Sequence, residues 1–215
     1  MATDDRSATP APADRRGDRR RRAILAAAAD VATAEGLEGL SIGRLAREVG
    51  LSKSGVAAHF ASKQDLQLHA VERAAAGYDR QVMARDAEPG LPRARALMEA
   101  WIDHVEGIEY RGGCFFAATG AEFGARPGPV RDRVAHYTGS WIRILERELR
   151  TAARLGELAA EADPRLLAFQ LHAFVQEANL RRTLLDDDGA FDDARALLAH
   201  VLEQARPAPT RGDER

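Results

Sequence analysis

Lysine is almost absent from this chain: of 31 basic residues, only Lys53 and Lys63 are lysines. Cysteine is rarer still. A single thiol, Cys114, excludes an internal disulfide and is compatible with a reducing compartment. No stretch nears the ~18 consecutive apolar residues of a membrane span, so no membrane association is expected. The opening segment, MATDDRSATPAPADRR, has no apolar h-region. It is therefore not expected to be a secretory signal, and the expected location is cytoplasmic. Long β-branched runs are missing too, which disfavours sheet. No H-x-x-x-H, C-x-x-C, G-x-S-x-G or phosphate-cradling glycine loop occurs. No cofactor, metal centre or catalytic constellation is expected, and the enzyme class has no support. Asp186, Asp187 and Asp188 are consecutive and do not share a helix face, so a loop or cap is the better reading.

Alanine and leucine abound, 45% of the residues are hydrophobic, 30% are charged and 6% are aromatic. That composition suits an all-α fold. The length allows one medium domain, or a small domain and a larger one. Net charge is −2, so the whole molecule is not a basic nucleic-acid binder. The distribution is more informative. Residues 15–66 hold ten basic and six acidic residues, a local excess of four, which leaves the remainder at −6. A positive end on an acidic body orients towards a polyanion.

Residues 1–18 are expected to form a disordered, basic-leaning arm, and 206–215 a disordered tail. A first helix is predicted over 19–35, with Ile24, Leu25, Ala28, Val31 and Ala32 on one face and Gly36 as an αL stop. Ser41 caps a second helix (Ile42, Leu45, Ala46 and Val49 inward), and Gly50 closes it. Ser52 caps a third, with Val56 and Phe60 one turn apart. Ser62 and Asp65 have capping-box spacing and open a fourth helix to about residue 83. RDAEPGLPR (85–93) is the expected boundary. It separates a head at 19–66 and a linking helix at 67–84 from a helical body at 85–205. In the body, Pro129 and Asp163-Pro164 mark helix starts. The last two helices are expected at 164–185 and 189–204.

Residues 45–63, LAREVGLSKSGVAAHFASK, read as a helix-turn-helix. Ala46 is the small crossing residue, Gly50 the turn, and Leu45, Val49, Val56 and Phe60 the brace. Lys53, Ser54, Gly55, Ala57 and Ala58 fall on or beside the free face. Over residues 21–66 the chain resembles the tetracycline-repressor (TetR) family of transcriptional regulators. The resemblance rests on Ile24-Leu25, Ala28, Gly36, Ser41-Ile42, Ala46, Gly50, Ser52-Lys53, His59-Phe60 and Ser62-Lys63. It implies a DNA-binding set of Ser41, Arg44, Ser52, Lys53, Ser54, Gly55, Ala57, Ala58, His59 and Lys63. In that set Lys53, Ser54 and Gly55 meet base edges and backbone, and Ser41 and Lys63 meet phosphates. The plainer readings are that the serines are caps, the lysines solvated charges, and His59 a packing residue. One departure is that family members usually carry an aromatic where this chain has Ala57. Direct readout is expected to be thin, with help from DNA shape and from the arginines of 15–22.

In the body, Trp101, His104, Cys114, Phe115, Phe116, Trp141, Phe169, His172 and Gln176 are candidates for an effector pocket. The alternative for each is core packing, and for Cys114 also thiol sensing. The run GGCFFAATGAEF (112–123) resembles the body of one TetR subgroup but names no ligand. The resemblance further implies a homodimer through 164–185 and 189–204, an operator in double-stranded DNA and a small-molecule effector. The competing class is a helical ligand-binding or scaffolding protein whose head does not read DNA.

Overall fold

The computed structural model describes residues 12–107 and 110–208, all helix and connecting loop. Residues 1–11 of the expected arm and 209–215 of the expected tail lie outside the described residues. Helix α1 is Pro12–Glu35, α2 Ile42–Glu48, α3 Lys53–Ala57 and α4 Lys63–Tyr78. A π turn, Asp79–Met83, prolongs α4, with the Ala84 N–H donating to the Asp79 carbonyl at 3.1 Å. The body comprises α5 Leu91–Glu106, α6 Phe115–Phe123, α7 Pro129–Arg154, α8 Pro164–Leu185 and α9 Ala190–Gln204.

The first helix starts at Pro12, seven residues before the predicted 19, so residues 12–18 are helical rather than disordered. Proline is at home in a first helical turn, and the alanine and arginines that follow favour helix. Elsewhere the local chemistry sets the boundaries. Gly36 and Gly50 take φ of +83° and +65°, which a side chain rarely allows. The hydroxyls of Ser41, Ser52 and Ser62 accept from the N–H groups of Arg44, Gly55 and Asp65 at 3.0–3.1 Å. Each such cap contributes about 1 kcal/mol. Asp65 reaches back to the Ala61 N–H (3.0 Å), one residue beyond an ordinary capping box. Asp163 caps α8 through the Arg165 N–H at 2.8 Å.

Two apolar cores form. The body core joins α5, α7, α8 and α9 around Leu97, Met98, Ile102, Leu145, Leu149 and Leu171. The head core gathers Ile24, Leu37, Leu40, Leu45, Val56 and Leu66, and it recruits Phe115 and Phe123 of α6 with Val130 and Val134 of α7. The break at 85–93 thus separates the helices in sequence but not the head from its packing partners. The run 114–118 has two apolar faces, and one of them completes the head.

Candidate nucleic-acid interface and the cavity behind it

Ser41, Ser52, Lys53, Ser54, Ala57, Ala58 and Lys63 are exposed, and Gly55 and His59 are half-buried. The hydroxyls of Ser41 and Ser62 accept from the backbone and keep their own hydrogen, while Ser52 also pairs with the Ser54 hydroxyl at 3.2 Å. A Cβ on Gly43 of α2 would lie 3.3 Å from Lys53 Cε, so this glycine leaves room for the lysine stem. α3 ends at Ala57, which leaves Ala58 and His59 in the turn that follows.

Arg44 is placed differently from the other expected contacts. Its guanidinium donates to Glu35 (2.7–3.0 Å) and to Glu48 (2.5 Å) and brings α1 and α2 together. The hydrogen bonds to Glu35 and Glu48 hold the Arg44 pKa above its ordinary value. Lys63 Nζ lies 2.6 Å from Glu38, an exposed and therefore weak ion pair. Arg21, from the arginine run, sits over the Phe60 ring at 5.8 Å, while Arg19, Arg20 and Arg22 face solvent.

Body residues hold the head loops. The Glu122 carboxylate of α6 accepts from the N–H groups of Leu37 (2.6 Å) and Glu38 (2.9 Å). Gln67 of α4 donates to the Leu37 carbonyl at 3.0 Å. Arg111 donates to Asp30 through its backbone N–H (2.9 Å) and its Nε (2.8 Å), and to Glu48 at 3.1 Å. Burial raises the Asp30 pKa, but the hydrogen bonds and charge of Arg111 outweigh it and leave the carboxyl below its ordinary value.

Behind the head lies a cavity of about 80 Å³ lined by side chains of α4, the π turn, α5, α7 and α8 together with Cys114 and Phe116. Of the nine expected pocket residues, Trp101, Cys114, Phe116, Trp141, His172 and Gln176 line it. His104 and Phe115 line a neighbouring groove instead, and Phe115 is chiefly part of the head core. Phe169 is a correction: it is 75% exposed on the outer face of α8. α8 carries apolar residues on two faces, so its sequence alone does not say which faces inward. Sequence reasoning missed Tyr78, Asp79, Met83, Tyr137, Thr138 and Ser140. Tyr78 was legible only as part of the apolar stripe of the linking helix.

Burial pushes the Cys114 thiol pKa up, which leaves little thiolate for reaction with an oxidant or electrophile. Burial also pulls the His104 and His172 imidazoles below their ordinary pKa. A depressed histidine pKa means that the unfolded chain takes up the proton first. Stability is therefore full above the unfolded value of about 6.5 and falls as pH drops through the folded-state values below it. We expect Tm to decline as pH falls below about 6.5, with a flatter profile in the double variant His104→Asn, His172→Asn. An equally steep decline in that variant would remove the histidines as its cause.

A helix-turn-helix head with exposed serines and lysines, packed against a cavity-bearing helical body, defines a DNA-binding regulator. The model for bacterial regulatory proteins of the tetR family matches residues 24–70, and that for the tetracyclin repressor-like C-terminal domain matches residues 90–198. The chain belongs to the TetR family of bacterial transcriptional regulators. A TetR regulator from Chloroflexus aurantiacus is 25% identical with a TM-score of 0.80, covering 90% of this chain and 100% of that one. One from Cytophaga hutchinsonii is 18% identical with a TM-score of 0.72, covering 90% and 98%. AibR, solved in complex with isovaleryl coenzyme A and operator DNA, is 23% identical with a TM-score of 0.69, covering 84% and 97%. No curated protein matches the chain in sequence.

Proposed function

We propose that the protein is a ligand-responsive repressor that binds a palindromic operator as a homodimer and releases it when a small molecule occupies the body cavity. The observation that carries the ligand response is the double membership of one segment. Cys114 and Phe116 wall the cavity, while Phe115 and Phe123 lie in the head core. Glu122 holds the α1–α2 loop from the same segment, and Arg111 just before it holds Asp30 and Glu48. A molecule that displaces residues 114–116 acts on the head through packed side chains and charged hydrogen bonds. Release then follows from its preference for one of two head placements. AibR, with both isovaleryl coenzyme A and operator DNA in its structure, supports bringing the same two partner classes to this chain. Repression is the direction that the family resemblance supplies.

On the DNA side, Lys53, Ser54 and Gly55 enter the major groove, and Ser41, Ser52 and Lys63 hold phosphates. Ala57 and Ala58 offer only methyl contacts. The test is fluorescence anisotropy on promoter-proximal palindromes and on random duplex across a salt series. The expected result is a clear palindrome preference. Lys63→Ala weakens both duplexes and makes the log–log salt slope shallower by about 1. Glu38→Gln has the opposite sign: it frees Lys63 from its 2.6 Å partner and tightens both. An unchanged slope in Lys63→Ala removes that lysine from the phosphate contacts. Binding without any palindrome preference would favour a scaffolding or ligand-binding role.

A further inference from the structure

A larger groove adjoins the cavity and shares Tyr78, Cys114 and Phe116 with it. It runs between the end of α4, the end of α5 and the segment that leads into α6. Its volume is about 330 Å³, at the small end of what ligand sites occupy. Arg73 and Arg80 line it, and no carboxylate does among the described residues. Arg73, Gly77 and Arg80 follow one another at four- and three-residue steps, so they share one face of α4 and the π turn that prolongs it. Gly77 leaves a gap between the two arginines: a Cβ there would lie 3.5 Å from Arg73 Nη1. Neither guanidinium has an ion-pair or hydrogen-bond partner among the described residues. Every other described arginine from residue 67 to 206 has one, Arg165 alone excepted. Past Arg80 the groove continues to Asp103, but that carboxylate is already paired with Arg85 and Arg195. Burial raises the pKa of Tyr110, another lining residue; the charge of Arg73 lowers it, that of Asp30 raises it and that of Arg80 lowers it. Burial lowers the His104 pKa, so this histidine adds no cation at neutral pH.

We propose that this groove is a second ligand site, taking an organic anion whose carboxylate or phosphate is held by Arg73 and Arg80 and whose flat apolar part lies among Tyr78, Tyr110 and Phe116. An oxyanion gains charge-assisted hydrogen bonds from two guanidinium groups that have no other partner to give up. Arg73 is half-buried, so its charge is screened less than that of an exposed arginine. Tyr78, Tyr110 and Phe116 are half-buried too and offer aromatic surface to a flat group. A neutral ligand of the same shape gains that contact alone, and a cation meets two like charges. The groove also borders the double-membership segment, since Phe115 and Phe116 line it. Its use in operator release rests on the ligand response proposed above; binding of the anion does not.

The experiment is isothermal titration calorimetry on the full-length protein, without DNA, using 2-naphthoate, 2-naphthyl phosphate and the neutral 2-naphthamide. At least one anion is expected to bind about tenfold or more tightly than the amide, and added salt should narrow that gap. Whichever anion binds more tightly identifies the oxyanion as carboxylate or phosphate. Arg73→Gln and Arg80→Gln should each reduce the preference for the anion, and the double variant should abolish it. Arg165→Gln, which removes an exposed and equally unpartnered arginine on α8, should keep it. Gly77→Leu fills the gap, keeps both charges and favours helix, so it tests the site even where an arginine variant fails to fold. It should weaken all three probes. An amide that binds as tightly as both anions overturns the proposal. So does a preference that survives the double arginine variant or falls equally in Arg165→Gln, an unchanged affinity in Gly77→Leu, or no binding of any probe. Operator release is measured separately by anisotropy. Arginine-dependent binding without release supports the groove site and rejects an effector role for it.

Discussion

Replacing Gly112 with alanine is expected to destabilise the protein by about 3 kcal/mol, a fall in Tm of roughly 6–12 °C. The residue lies where the loop before α6 crosses the C-terminal end of α1. A Cβ at this position would sit 2.9 Å from the Ala34 nitrogen and closer still to the Thr33 carbonyl. These are backbone atoms of a helix, so no rotamer change relieves the overlap. The neighbouring Gly113 is a useful contrast. Its φ of +74° disfavours any side chain, but there a Cβ would meet the side chains of Asn179 and Thr183 rather than helix backbone, and Asn179 moves only by giving up its bond from the Cys114 N–H. Gly113→Ala is therefore the milder of the two. Gly112→Ala can fold only by moving α1 away from the loop. That movement stretches the Gly112 N–H bond to Thr33 Oγ1 (3.1 Å) and the Arg111–Asp30–Glu48 cluster. The variant should also respond less to ligand, because the loop then holds the head more loosely. Calorimetry gives the stability, and operator anisotropy with and without ligand gives the coupling. An unchanged Tm would mean that the backbones are not in contact here.

Much of the architecture is legible in single residues. Gly36, Gly50, Asp163 with Pro164, and the three capping serines act within one helical turn, and each marks a boundary that the structure shares. What requires the third dimension is less legible. Arg44 has one partner at helical spacing, Glu48, and another, Glu35, on a different helix. Only the pair of them shows that its guanidinium bridges α1 and α2. Lys63 finds Glu38 across 25 positions of sequence, a pairing that no local pattern announces. The cavity follows the same rule. Trp101 and Trp141 stood out as large aromatics on apolar helices. Thr138 and Ser140, small and polar, become wall residues only because α7 turns that part of its surface towards α4 and α8. Phe169 failed in the opposite direction, since helical periodicity identifies a stripe and not what the stripe faces.

Changing Phe169 and Leu184 together to glutamate is expected to convert a dimer into a monomer and to weaken operator binding by about a thousandfold or more. Leu166, Phe169, Ala173, Leu180 and Leu184 recur on α8 at three- and four-residue steps or their sum, all on its exposed face. Phe169 is 75% exposed and Leu184 69%, and Leu197 of α9 continues the apolar surface at 43%. A contiguous stripe of this kind on a water-soluble surface marks an interaction site, and its heptad-like spacing suits another helix. A second copy of α8 and α9 is the partner that a two-fold axis supplies. In that arrangement the two α3 helices face successive turns of the operator, about 34 Å apart. On the proposed contacts each head alone has few base contacts, because Ala57 and Ala58 bring only methyl groups. Affinity then depends on linking two weak half-sites, and losing that link removes the multiplicative gain rather than a single contact. The body core does not use these side chains, so the double variant should keep its helicity and its cavity. Sedimentation equilibrium, circular dichroism and operator anisotropy read the three quantities separately. A helical monomer that still binds the palindrome at full affinity would show that one head suffices, and the dimeric operator model would fall.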